Sequence, residues 1–353
     1  MRRRLRELGY SVGRFPTGAL NALVDVPGVL VGHRTLDEGS SRTGVTAILP
    51  HGDNVYEEKV LGACHVINGY GKPTGLTQLA ELGTVESPIL LTSTLSVGPV
   101  WEGGLRHLLE RNPGAARDRD TINVIVGECF DGWLSDARAL AVRPEHALEA
   151  IASAAPFEAR EGAVGAGTGT TCFGYKAGVG TASRLAGGHS LGCLVVANYG
   201  SRRDLHMLVG PMEPPHAAAA EPPAQGGSIM IVLATDAPLG ERQLRRLASR
   251  AALGLGRAGS FATNASGEYA LAFSTAQRIP HRSDDPRLEL QLLRDDSAAL
   301  RELFEAAGEL VHEAVLGSLC SASAMEGRDG NRVEAFPYEL LEAAPGVRPV
   351  VTS

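Results

Sequence analysis

The chain has 353 residues, enough to bury a large core in one big domain or two. Its formal charge is −7 with 21% charged residues, a balance that argues against nucleic acid as a main partner. No apolar run approaches the length of a membrane span, and no apolar segment follows the Arg-rich start Met1–Arg6. The expectation is therefore no signal peptide and no membrane partner, with those arginines forming a solvated tip. The five cysteines (Cys64, Cys129, Cys172, Cys193, Cys320) contain no CxxC pair, which fits reduced thiols in a cytoplasmic protein. Ten histidines show no H-E-x-x-H or comparable spacing, so neither a metal nor another cofactor is expected.

Alternating apolar positions at Val24, Val26, Val29 and Val31 predict an early strand, with a tight turn at Gly28 after Pro27. Val45–Leu49 reads as a second strand that stops at Pro50. After a loop over 69–75, Thr74 is placed as the cap of a short helix through Leu82, ended by Gly83. Ile89–Thr92 and Ile122–Val126 read as buried strands. Between them Val100–Glu110 has helical spacing until Pro113-Gly114. Glu128 then lies just past a strand, where it reads either as a carboxylate for a substrate ammonium or as a surface acid; Asp131 and Asp136 read as turn and cap residues.

Glu145–Ala155 is helical by propensity. The glycine-rich stretch 162–180 contains Gly165-x-Gly167-x-Gly169, but no helix is predicted to open after it and no Gly-Lys-Ser/Thr follows. A phosphate cradle needs that helix N-terminus, so a nucleotide site is rejected in favour of a loop and strand where backbones approach closely. His189–Asn198 ends a strand at Asn198, an amide placed either to hold an oxyanion or to form a turn into Gly200. Met212–Gln225, rich in Pro and Ala, reads as a loop. Gly226-Gly227-Ser228 follows, and Ser228 opens the apolar run Ile229–Ala234, the pattern of a strand buried on both faces. Glu241–Gly256 is amphipathic. Ser266 and Glu268 lie in the turn before the strand Tyr269–Ser274, which a hairpin-like return brings beside Ser228. Asp284-Asp285-Pro286 reads as a solvated excursion. Ser297–Cys320 is the last helix, and the tail from Arg328 is irregular.

A loop, two glycines and a hydroxyl at the lip of a core strand are what self-cleavage requires. Ser228 Oγ can attack the Gly227 carbonyl, because a residue without Cβ bends into the attack geometry at little steric cost. Cleavage leaves Ser228 as a new chain start, whose α-amine has a reference pKa of about 7.7–8.0 and suits general-base work. A Gly-Gly turn into an ordinary strand explains the same residues.

The blocks Val24–His33, Glu86–Thr92, Val126–Gly132, Gly162–Thr170, Val196–Gly200 and Gly327–Asn331 occur in an order that resembles a known family. This is the family of self-processing serine aminopeptidases, which contains the L-aminopeptidase/D-amidase-esterases and the β-peptidyl aminopeptidases. The resemblance implies an α+β fold, a four-layer αββα sandwich of the N-terminal-nucleophile kind. It implies a nucleophile at Ser228 after cleavage at Gly227–Ser228, with Ser266 and Glu268 beside it. It also implies an oxyanion role for Asn198 and a substrate-ammonium role for Glu128. One position departs: the family pattern Glu-x-Tyr-Asp-Gly carries a tyrosine where this chain has Phe130. Either one hydrogen bond at the substrate is lost, or Tyr199 or a backbone N–H replaces it.

The expected products are residues 1–227 and 228–353, both within one domain, and relatives suggest a tetramer of such cleaved pairs. The expected activity is release of N-terminal residues from short peptides, amides or esters through an acyl-enzyme on Ser228. An acyltransferase using the same nucleophile, or a non-catalytic binding protein of the same fold, are the alternatives.

Overall fold

The computed structural model describes residues 2–204, 227–343 and 347–349; the loop expected over Met212–Gln225 lies outside them. Ten strands and five helices carry the architecture. One sheet holds β1 (Leu30–Glu38), β2 (Ser41–Leu49), β5 (Ile89–Ser93) and β6 (Ile125–Cys129), in the order β1-β2-β5-β6. The other holds β3 (Glu58–Gly69), β4 (Thr84–Val85), β7 (Val179–Ala186), β8 (His189–Asn198), β9 (Ser228–Thr235) and β10 (Gly267–Pro280), in the order β7-β8-β9-β10-β3-β4.

Alternation along β9 explains the stacking, since successive side chains point to opposite faces. Met230, Val232 and Ala234 join Leu194 and Val196 in the layer between the sheets, where they meet Leu91 and Ile125. Ile229, Ile231 and Leu233 face the other way, onto α4 (Glu241–Arg257) and α5 (Ala298–Cys320) through Leu244, Leu247 and Leu310. On the opposite side Ala47, Leu90 and Val126 pack beneath α2 (Val97–Arg111) and α3 (Pro144–Ala152). The short α1 (Leu76–Leu82) lies against β3. The layers therefore run helices, sheet, sheet, helices, the αββα order implied by the resemblance, in one compact domain. The helices press close: a Cβ on Gly180 of β7 would stand 1.8 Å from the Ala314 carbonyl oxygen of α5.

Several expectations need correction. The early strand begins at Leu30; residues 23–25 form a 3₁₀ turn, and Gly28 has φ +90°, which breaks the extended run. Thr74 does not cap α1, whose N-cap is Gly75 (φ +80°). Its backbone is used in a bridge to Val126 instead, with N–H···O distances of 2.9 and 3.3 Å. The Ile122 strand starts at Ile125 and runs to Cys129, so Glu128 lies inside it. Ser266 and Glu268 do not return by a hairpin: β9 and β10 are parallel, and α4 is the crossover. Asp131 is a turn residue by its backbone, but its side chain is buried. Asp136 does cap, accepting the Arg138 N–H at 3.1 Å.

The Arg-rich start is not a solvated tip. Arg2 donates to the carbonyls of Cys320 and Phe336, Arg4 pairs with Glu161 at 2.8 Å and Arg6 with Glu313 at 2.7 Å. Buried carboxylates need counter-charges, and these arginines supply them. The five cysteines are unpaired. Among the described residues no helix is long and apolar enough to cross a membrane.

Candidate active site

Strand register assembles the centre. Ser228 is the first residue of β9; Asn198, the last of β8, lies opposite it on one side and Gly267, the first of β10, on the other. Pairing of three strands thus brings Asn198, Ser228 and the Ser266–Glu268 segment together. The Gly227 carbonyl, on the residue before Ser228, accepts the Gly267 N–H at 2.9 Å. A Cβ on Gly227 would lie 2.7 Å from Tyr199 Cβ and 3.0 Å from Ser266 Oγ. The peptide before Ser228 therefore runs against the Ser266 hydroxyl in a space that fits glycine.

Ser266 donates to Glu268 Oε1 at 3.0 Å, and Ser260 donates to the same oxygen at 2.7 Å. Glu268 is fully buried, and among the described residues its Oε2 has no hydrogen-bond partner. Burial pushes its carboxyl above the usual carboxylate range, and the two hydroxyls pull it partly back. Ser228 is itself 4% exposed, and its Oγ accepts the Phe130 N–H at 3.2 Å. Neighbouring Cys129 donates to the Val196 carbonyl at 3.2 Å; burial raises its thiol, so it stays protonated and does not rival Ser228.

Glu128 is buried, two residues before Phe130 on β6. Its Oε1 accepts the Lys72 N–H at 2.9 Å and its Oε2 accepts the Thr94 hydroxyl. Among the described residues no lysine or arginine pairs with it. A buried carboxylate held by neutral donors can take a cation from outside the fold as its counter-charge. Asn198 Oδ1 accepts the Thr171 N–H at 3.1 Å, which fixes the amide and directs its Nδ2 hydrogens the other way.

The Phe130 ring is half exposed. Of the two substitutes for a tyrosine hydroxyl there, Tyr199 is occupied: its O–H is buried and donates to the Ala258 carbonyl at 2.8 Å. The backbone N–H of Phe130 is the donor that reaches Ser228. Sequence reasoning did not find Ser260, Thr94 or the N–H groups of Lys72 and Thr171. Thr94 sits just past the strand Ile89–Ser93 and Ser260 just past α4, positions where a hydroxyl is commonly a cap or turn residue.

The glycine-rich 162–180 stretch forms a 3₁₀ turn at Gly165–Gly167 and no α-helix, so it offers no phosphate cradle. Among the described residues no group of three His, Cys, Asp or Glu side chains is placed to hold a metal.

The four layers, with a hydroxyl buried at the start of a central strand, define the chain as a protein of the N-terminal-nucleophile hydrolase fold. It belongs to peptidase family S58, whose model matches residues 21–333, and is an aminopeptidase of that family. The β-peptidyl aminopeptidase BapA of Sphingosinicella microcystinivorans is 36% identical, over 96% of this chain and 91% of its own. The L-aminopeptidase D-Ala-esterase/amidase of Ochrobactrum anthropi, described as a variant of the Ntn hydrolase fold, superposes with a TM-score of 0.86. It is 35% identical and aligns with 96% of this chain and 97% of its own. A protein of Pyrococcus horikoshii gives a TM-score of 0.88 at 44% identity, with 96% and 98% covered.

Proposed function

We propose that the chain is a self-cleaving serine aminopeptidase that matures by cutting Gly227–Ser228 and then releases N-terminal residues from short peptides, amides or esters. The observation that carries this reading is the arrangement around one peptide bond. The Gly227 carbonyl is polarised by the Gly267 N–H, while the Ser266 hydroxyl, itself bonded to Glu268, stands at Gly227.

In maturation Ser228 Oγ attacks the Gly227 carbonyl carbon, the C–N bond breaks, and the amide nitrogen gains the hydroxyl proton. Water then hydrolyses the ester, leaving a carboxylate on Gly227 and a free amine and hydroxyl on Ser228. Residues 1–227 and 228–353 stay in one domain, because β9 and β10 are held between β8 and β3.

In turnover the substrate ammonium binds Glu128. Ser228 Oγ attacks the scissile carbonyl as its proton passes to the new α-amine, and that proton goes on to the leaving amine. The acyl-enzyme on Ser228 is then hydrolysed. Asn198 Nδ2 holds the oxyanion, a donor worth about 3 kcal/mol of barrier. Glu268 Oε2, without a partner among the described residues, is the acceptor for the α-ammonium formed on the way.

The free thiols fit a cytoplasmic enzyme, and light scattering of the purified protein tests the assembly of several cleaved pairs that the resemblance implies. Ser228→Ala tests the chemistry: it stays full length and does not turn over aminoacyl anilides. A Ser228→Ala protein that is still cut and still active overturns the proposal.

A further inference from the structure

Lys176 lies outside every group used above, yet it is fully buried. Its ammonium donates to the carbonyls of Thr170 at 2.9 Å, Gly167 at 3.3 Å and Ala177, knitting the glycine-rich stretch. Asp131 faces the same stretch: a Cβ on Gly169 would stand 3.0 Å from Asp131 Cβ. Asp131 is 1% exposed, accepts the Ser93 hydroxyl at 2.7 Å through Oδ1, and has the Thr43 hydroxyl beside it. Burial lowers Lys176 to about 7, with the charges of Asp131 and Asp37 drawing it partly back, and raises Asp131 to about 6, with the Thr43 and Ser93 hydroxyls and then the Lys176 charge pulling it partly down. Two such groups are an expensive means of holding a loop, since apolar side chains of similar size often stabilise as well or better.

Their positions suggest what they do. The peptide between Thr170 and Thr171 turns its carbonyl to the Lys176 ammonium and its N–H to Asn198 Oδ1. A charge at one end of this hydrogen-bond chain polarises the other end. Asp131 directly follows Phe130, whose N–H reaches Ser228 Oγ, and the Ser93 hydroxyl ties it to the end of β5. The C-terminal loop grips the same turn, for Arg328 donates to the Gly132 carbonyl at 2.8 Å and Asn331 to that of Trp133 at 2.9 Å.

We propose that Lys176 and Asp131 are positioning residues: one fixes the Asn198 amide through the Thr170–Thr171 peptide, the other the Phe130 N–H, so that the two donors keep a set separation across the nucleophile. The inference rests on Ser228 being that nucleophile. Neither residue touches substrate, and Glu128, which receives the ammonium, keeps its own partners, Lys72 N–H and Thr94.

The test compares wild type, Asp131→Asn, Lys176→Met and the double variant in three readouts. These are kcat and KM on an aminoacyl anilide, the binding of a 1-aminoalkyl boronic acid, which forms a tetrahedral adduct on a serine, and the unfolding midpoint. A misplaced donor costs about 10- to 100-fold in rate. Asp131→Asn, nearly the same shape, lowers kcat and boronate affinity by that factor, leaves KM within about twofold and barely moves the midpoint. The double variant is no worse than the poorer single one, because the two act as a unit. Should Lys176→Met not fold, the Asp131→Asn readouts decide alone. Unchanged kcat in Asp131→Asn, or a fall in which KM and the midpoint change in proportion, overturns the positioning role. Active wild type beside such a variant refutes this role alone; wild type that neither cleaves nor turns over refutes the reading of function as well.

Discussion

Asn198 performs two tasks that substitution can separate. Its Oδ1 satisfies the Thr171 N–H, and its Nδ2 is the proposed oxyanion donor. Asn198→Ala removes both. Loss of the donor costs about 2.7–4 kcal/mol of barrier, or about 10²–10³ in kcat, with KM nearly unchanged because the bond strengthens only in the transition state. Leaving the Thr171 N–H unsatisfied costs a further ~1–3 kcal/mol of stability. Asn198→Asp keeps an acceptor for Thr171 and so keeps most of the stability, but places a carboxylate oxygen where negative charge develops. Its kcat falls at least as far as that of the alanine variant. Steady-state kinetics and urea unfolding of both variants test the division. An aspartate variant that retains wild-type kcat, or an alanine variant whose KM rises while kcat holds, would refute the reasoning.

Glu128→Gln keeps the shape but loses the charge that receives the substrate ammonium. Its kcat/KM on free-amine substrates should fall by about 30-fold or more, as expected when about 2 kcal/mol of a buried charge pair is lost. The preference for a free over an N-acetylated substrate should shrink with it, and an undiminished preference would exclude the role. Arg184 is fully buried between Glu309 at 3.3 Å and Glu313. Arg184→Met leaves those carboxylates short of a partner and should cost about 3–5 kcal/mol in denaturant unfolding without changing kcat. His33 and His312 are buried, each with an Nε2 that has no hydrogen-bond partner among the described residues, and burial lowers each to about 4. Both are neutral when folded, whereas the unfolded chain takes up protons below about 6.5. Their contribution is therefore complete above that pH and is lost as pH falls toward 4, at up to about 1.4 kcal/mol per unit for each. Urea midpoints between pH 7 and 4.5 should fall more steeply in wild type than in His312→Leu; parallel slopes would count against this.

The sequence announced the centre of the fold because β9 is buried on both faces, so its run Ile229–Ala234 carries no polar residue. The amphipathic helices were legible for the related reason that each has one wet face. What stayed hidden is set by partners far apart in sequence. Nothing near Ser266 says that β10 lies parallel to β9, since a crossover helix and a hairpin both return the chain to the same sheet. Arg2, Arg4 and Arg6 read as solvated because the Cys320 and Phe336 carbonyls and the Glu161 and Glu313 carboxylates that hold them lie about 160–330 positions away. The early strand failed because Gly28 breaks a pattern whose apolar spacing continues through it. At the site, order along the chain singled out Ser228, Asn198, Glu128, Ser266 and Glu268 as candidates, and register brings four of these five to one point. Glu128 joins them from the other sheet, through Phe130. Backbone donors such as the Phe130 N–H have no side-chain signature, and the buried Asp131 looks in sequence like any turn aspartate.

The central claim is that Ser228 cuts the bond before it and then acts as the nucleophile. Intact mass of the purified protein under denaturing conditions tests this most directly. The account expects two species from wild type, the second beginning at Ser228, and one full-length species of 36.9 kDa from Ser228→Ala. A wild-type chain that remains whole while hydrolysing aminoacyl substrates, or a Ser228→Ala chain that is still cut, would contradict it.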